Sequence, residues 1–180
     1  MGGLLAAGGG WFGQFITHSY SEKRERNKLI REKAERLCTG LTDLTEWLQD
    51  RRNNYIYRLE DHDTPSPLSE VRTLQKLYFP ALKKQIDDVS SETVKMVRIL
   101  GEEGIAVREA KHQIEQAELQ REYAIKTTGK ADNDAVIAAM KASVAVTKAA
   151  DEKFVAAYGN FYPQIVAAIT AAADVVKDLE

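Results

Sequence analysis

The sequence predicts an all-α protein: a bundle of three long antiparallel helices, or four if a glycine pair splits the middle one, preceded by an apolar glycine-rich segment. Three observations carry this. Apolar residues recur at alternating three- and four-residue spacing in three long runs, the mark of helices with one buried face. Turn-forming residues cluster at two places between those runs, Asp61–Pro67 and Thr128–Asn133. Only 4 prolines occur in 180 residues, and two of them are Pro65 and Pro67, too few turn signals for a compact β protein. Long helices are not stable alone, so each run has to cover the others. The expected helices are 21–60, 67–128 and 133–178, with kinks near Pro80 and Pro163. Residues 1–20 are expected to form an anchor and 21–180 one helical domain.

Residues 1–17 carry no charged side chain. The segment does not suit a cleaved signal peptide, because its basic residues follow the apolar part instead of preceding it. Ala6 stands where a myristoylation signal needs Ser or Thr. A membrane-spanning helix is the preferred reading, although about 17–20 residues are the minimum for a hydrocarbon core near 30 Å. Gly9 and Gly13 match the small-xxx-small pattern that lets helices approach closely in lipid. Trp11 and Phe12 supply its bulkiest apolar surface. The competing reading is a flexible glycine-rich arm.

From Lys23 to Arg36 seven basic residues face Glu25, Glu32 and Glu35, with Glu22 just before them, a net charge of +3. Lys23, Arg24, Arg26 and Lys28 come directly after the uncharged run, the positive-inside pattern that places the rest of the chain in the cytoplasm. Interleaved glutamates pair at i,i+4, as in Glu22–Arg26 and Glu32–Arg36, and weaken the field a nucleic acid would meet. The overall net charge of -2 points the same way, so no nucleic-acid partner is expected. Taken one by one, these charges also suit a plain solvated helix face. Ile30, Ala34, Leu37, Leu41, Leu44, Leu48, Tyr55 and Leu59 continue the first helix as a stripe, with Trp47 and the single cysteine, Cys38, beside it. One cysteine rules out an intramolecular disulfide, and this one reads as a small core residue.

The second helix opens with Ser66 as cap, Pro67 in its first turn and Glu70 at the positive end of its dipole. Its stripe runs Val71, Leu74, Tyr78, Leu82, Ile86, Val89, Thr93, Met96, Leu100 and Val107. Pro80 interrupts one backbone bond and bends the axis. Gly101–Gly104 is either a bend or a true turn. Beyond Val107 the stripe thins to Ala110, Ile114 and Ala117, the signature of an exposed end. Gly129 closes the helix. The third stripe runs Val136, Met140, Val144, Thr147, Ala150, Phe154, Ala157 and Phe161, then resumes after Pro163 with Ile165, Ile169, Ala172, Val176 and Leu179.

Only Glu109-x-x-His112 carries a named chemistry, since paired E-x-x-H motifs on bundle helices hold di-iron sites. No second copy exists: Phe15 precedes His18 and Leu59 precedes His62 at that spacing. Asp61-His62-Asp63 is too contiguous for three side chains to reach one ion. No nucleophile–base motif or phosphate loop is present. No enzyme activity and no cofactor are therefore expected.

The glycine- and alanine-rich start, the basic-acidic helix SEKRERNKLIREKAERL, the proline loop and LQKLYFPAL together give a resemblance over about the first half of the chain. It resembles small uncharacterised bacterial proteins with one N-terminal membrane segment and a helical cytosolic bundle. That resemblance implies a single-pass protein of the cytoplasmic membrane and no particular activity. The expectation is a membrane-tethered bundle acting through protein–protein contact, as a homo-oligomer or with an unidentified partner. A soluble coiled-coil scaffold is the second reading and a carboxylate/histidine metal-binding bundle the third.

Overall fold

A computed structural model describes residues 4–60, 64–130 and 133–179, and side chains from residue 22 onward. It is all-helical, with four α-helices and no strand among the described residues: α1 Leu4–Arg52, α2 Leu68–Tyr78, α3 Lys83–Thr128 and α4 Asp134–Lys177. A π-helical turn, Asn53–Arg58, extends α1, and a 3-10 turn, Pro80–Leu82, joins α2 to α3.

The expected first helix ends where turn formers begin. Leu59 takes a left-handed conformation (φ 60°, ψ 31°), and the Glu60 N–H donates to the Asn54 carbonyl at 3.1 Å, closing the helix end. Ser66 accepts a hydrogen bond from the Leu68 N–H at 3.3 Å, but α2 starts one residue later than its sequence position implies: Pro67 holds the N-cap, with no side-chain cap bond. Gly129 has φ 72° and donates to the Ile125 carbonyl, the expected stop of α3.

The helix expected over 67–128 is not continuous. Phe79 leaves helical space entirely (φ −129°, ψ 55°), and Pro80 starts a new turn instead of bending an old one. The cause is the residue before the proline. Clash with the proline ring drives Phe79 out of the α region, and the freed backbone lets its side chain reach the core, 2 % exposed. Gly101–Gly104, by contrast, is neither turn nor break, because α3 runs straight through it. Gly104 is buried there against Tyr55, whose Cδ1 would lie 3.0 Å from an added Cβ. α4 likewise remains one helix through Pro163. The bond that proline deletes would end on the Gly159 carbonyl, and both residues are exposed, so water can satisfy it.

The core draws on every helix: Leu37, Leu41, Leu44 and Leu48 from α1, Val71 and Leu74 from α2, Ile86, Val89, Met96, Leu100 and Val107 from α3, and Phe154, Phe161 and Ile165 from α4. Full burial of each such side chain is worth about 1.5–3 kcal/mol. Buried positions stop at Ala110 on α3 and begin again at Ala150 on α4. Between them Ile114, Ala117, Arg121 and Ala124 are half-buried along one face of α3, matched by Val136, Ala139, Ser143 and Val146 on α4. Residues 111–128 and 134–149 are therefore a two-helix arm, with no third α-helix over it among the described residues. Met140 and Val144, expected in the core, are exposed on it at 48 % and 69 %. Their spacing is that of a core stripe, but α1 ends at Arg52, and among the described residues only the π-turn, through Tyr57 beside Val144, reaches this face.

Candidate functional site

The densest side-chain chemistry lies where α1 hands over to its π-helical turn. An α-helix advances each residue by about 100°, and the wider π-turn re-aims three neighbours to three destinations. Tyr55 lies over Gly104 of α3, Ile56 enters the core, and Tyr57 reaches the α4 face. Around them, arginines stack on rings. Arg51 lies 4.4 Å from the Trp47 ring and 5.8 Å from that of Tyr55, which Arg108 of α3 approaches at 5.7 Å. Arg52 sits between Tyr57 at 5.5 Å and Phe154 at 5.4 Å, while its guanidinium donates to Asp151 at 2.6 Å. Trp47 donates through Nε1 to the Thr64 carbonyl at 2.8 Å and ties the loop down.

Half-buried cation–ring contacts contribute about 0.5–2 kcal/mol each, so this cluster clasps α1, α3, α4 and the loop together. Burial pushes the Tyr57 phenol up, and the neighbouring Asp151 carboxylate adds to the shift. The phenol therefore stays protonated at neutral pH. Beside it, Tyr57, Ser143, Val144, Thr147, Lys148 and Asp151 line a shallow groove of about 370 Å³. It opens along α4, in the manner of a contact surface and unlike an enclosed substrate pocket.

The other candidates are placed as follows. Gly9, Trp11, Phe12 and Gly13 lie in α1, but their side chains are outside the described residues. Among the described residues no helix is long and apolar enough to cross a membrane, so the spanning helix expected of residues 1–17 gains no support there. Lys23, Arg24, Arg26 and Lys28 are exposed, and Arg24 and Lys28 border a second open groove with Glu25, Asn27 and Arg31. Asn27 donates to the Leu179 carbonyl at 3.0 Å, bringing the end of α4 to this part of α1. His112 is exposed and engages Glu115 at 3.5 Å and Gln116 at 3.1 Å on its own helix. No group of metal-ligating side chains assembles among the described residues, and Asp61-His62-Asp63 lies outside them. Cys38 is half-buried, and burial followed by the charge of Glu35 pushes its thiol up, away from a reactive thiolate.

The arginine–ring clasp was not foreseen from the sequence. Its signal was present in W-x-x-x-R-R-x-x-Y-x-Y, where Trp47, Arg51 and Tyr55 stand at i,i+4 spacing and so on one helix face. No protein-family model, curated protein or solved structure matches the chain.

Proposed function

We propose that the chain is a non-catalytic interaction module, tethered to the cytoplasmic membrane by residues 1–20, whose body holds out the α3–α4 arm for protein contact. In this reading α4 runs antiparallel to both α1 and α3. Asn27 with Leu179 and Arg52 with Asp151 support the first relation, and Glu103 with Lys153 supports the second. The arm then leaves the body at the end opposite the N-terminal segment and reaches about 27 Å. The polar run 108–130 consequently stays away from lipid, where its charges would be costly.

The observation that carries the proposal is the apolar surface of the arm. Leu119 is 66 % and Tyr123 71 % exposed, and both stand on the side of α3 turned from α4. Apolar residues gathered on one projecting element mark a contact surface. A photo-crosslinking amino acid at Tyr123 is expected to give a discrete protein adduct in cells, and one at Arg98 on the body none. Equal labelling at both positions would remove the arm as an interaction surface. In cell fractionation, full-length protein is expected to stay with membranes through carbonate and high salt. Recovery in the soluble fraction would leave a scaffold without a tether.

A further inference from the structure

α4 carries a second apolar seam that the fold does not use. Ile137, Met140, Val144, Val155, Tyr162 and Val166 are each between 45 % and 69 % exposed. Their spacings repeat three, four and seven or combine to eleven, so all lie along one outer line of the helix. The line is about 44 Å long. Its middle is polar, with Lys148 and Glu152 paired at 3.8 Å. Two apolar pairs, Val144 with Val155 and Ile137 with Tyr162, stand within one residue of equal distance from that middle, while Met140 and Val166 have no apolar counterpart. Apolar residues lie on either side, with a cation just before the midpoint and an anion just after it.

We infer that this seam binds the same seam of a second copy, the two α4 helices crossing the contact in opposite directions about a two-fold axis near residue 150. The axis pairs position i with 300 − i. Lys148 then meets Glu152 of the second copy, and Glu152 meets its Lys148, so charge complementarity is satisfied twice by one operation. Val155 of each copy enters the groove of the other beside Val144 and Tyr57, a knob and a hole supplied by the same surface. Ile137 lies opposite the Tyr162 region. A strip of this length and one helix diameter wide covers on the order of 500 Å² per copy, less than the roughly 800 Å² per partner of a standard stable interface, so the dimer is weak and concentration-dependent. The inference rests on the interaction-module reading and names a partner for it.

Disulfide trapping tests the register. In full-length protein carrying Cys38→Ser, Val144→Cys and Val155→Cys are placed in separate preparations, which are then mixed and oxidised. Within one chain the two positions are about 16 Å apart along the helix, and each is about 15–18 Å from its own equivalent across the axis. A disulfide needs Cα atoms within about 7 Å. The mixture is expected to give cross-linked dimer, and either preparation alone at least tenfold less. Equal cross-linking in the separate preparations, or none in the mixture, overturns the register. Lys148→Glu is expected to weaken self-association measured by sedimentation at least fivefold, and adding Glu152→Lys to restore it. Failure of the double variant to recover while its helicity is unchanged overturns the charge pairing. Dimers that form without the 144–155 cross-link discard this seam but leave the interaction module standing. A strictly monomeric chain that still gives the Tyr123 adduct does the same.

Discussion

The body and the arm are made from the same helices and the same three-four spacing, yet they are different objects. In the body, Leu41, Val89 and Phe161 are wholly enclosed; on the arm, Ile114 and Val136 are half-covered and Val144 is mostly in water. The difference does not lie in the stripes. It lies in the number of elements that reach them. Four helices converge on the body, and two helices alone bury only the seam between them. An apolar period thus reports that a face seeks cover, and the rest of the chain decides whether cover arrives.

The largest expected effect tests that contrast directly. Phe154→Ala removes a fully buried ring that stacks on Tyr158 at 5.8 Å and lies under Arg52. It should cost about 3–5 kcal/mol in chemical denaturation. Ile114→Ala, on the arm, should cost about 1 kcal/mol, because its site is already half open to water. Equal losses would mean that the arm is a folded core in its own right.

Two glycines sharpen the comparison. A Cβ at Gly40 would sit 2.9 Å from Val71 Cγ2, where α2 approaches α1 closely. Gly40→Ala should destabilise by about 1–3 kcal/mol through overpacking. Gly101 has nothing within 4 Å of its added Cβ. Gly101→Ala should therefore stabilise by about 0.5–1 kcal/mol, simply by improving helix propensity. Thermal melts of the pair should move in opposite directions, and movement in the same direction would show that the α1–α2 approach is softer than its geometry.

Pro80 comes next. It is exposed and starts the turn that separates α2 from α3. Pro80→Ala leaves the contacts of Phe79 in place but widens the choices of the unfolded chain, a loss of about 0.4–1 kcal/mol. A rise in melting temperature would show that the strain Pro80 imposes on the turn outweighs the freedom it removes from the unfolded chain.

How far the sequence could be read follows from these particulars. The stripes from Ala34 to Leu48 and from Val71 to Val107 are buried almost residue for residue, because burial on a helix repeats with a period that side chains must obey. The stop at Gly129 was equally local, and the start at Ser66 was off by one residue, Pro67 taking the cap position. The break at Phe79 was readable only as a disturbance, since a proline in a helix can either bend the axis or end it. What decides is whether the preceding residue gains by leaving helical space, and Phe79 gains a core position. Gly104 looked like a breaker for the same reason: its partner, Tyr55, is 49 positions away in the chain. The Trp47–Arg51 part of the clasp was legible from i,i+4 spacing, but the separate destinations of Tyr55 and Tyr57 depend on the π-turn Asn53–Arg58, which no short-range pattern announces.

The smallest expected effect concerns Cys38, which sits beside the best-packed stripe of the body. Its thiol is pushed up by burial first and by Glu35 second, so the folded state holds the proton more tightly than the unfolded chain does. Stability from this group is therefore complete below the ordinary thiol range, near pH 8.5, and declines as pH rises from there toward the folded value. Cys38→Ser should flatten that alkaline decline without altering the neutral plateau by more than about 1 kcal/mol. In the native protein, alkylation at pH 7 should run well below the rate of a free thiol and approach it only on unfolding. Rapid labelling of folded protein would show that the face of α1 around Cys38 opens, and would bring that part of the body closer to the looseness of the arm.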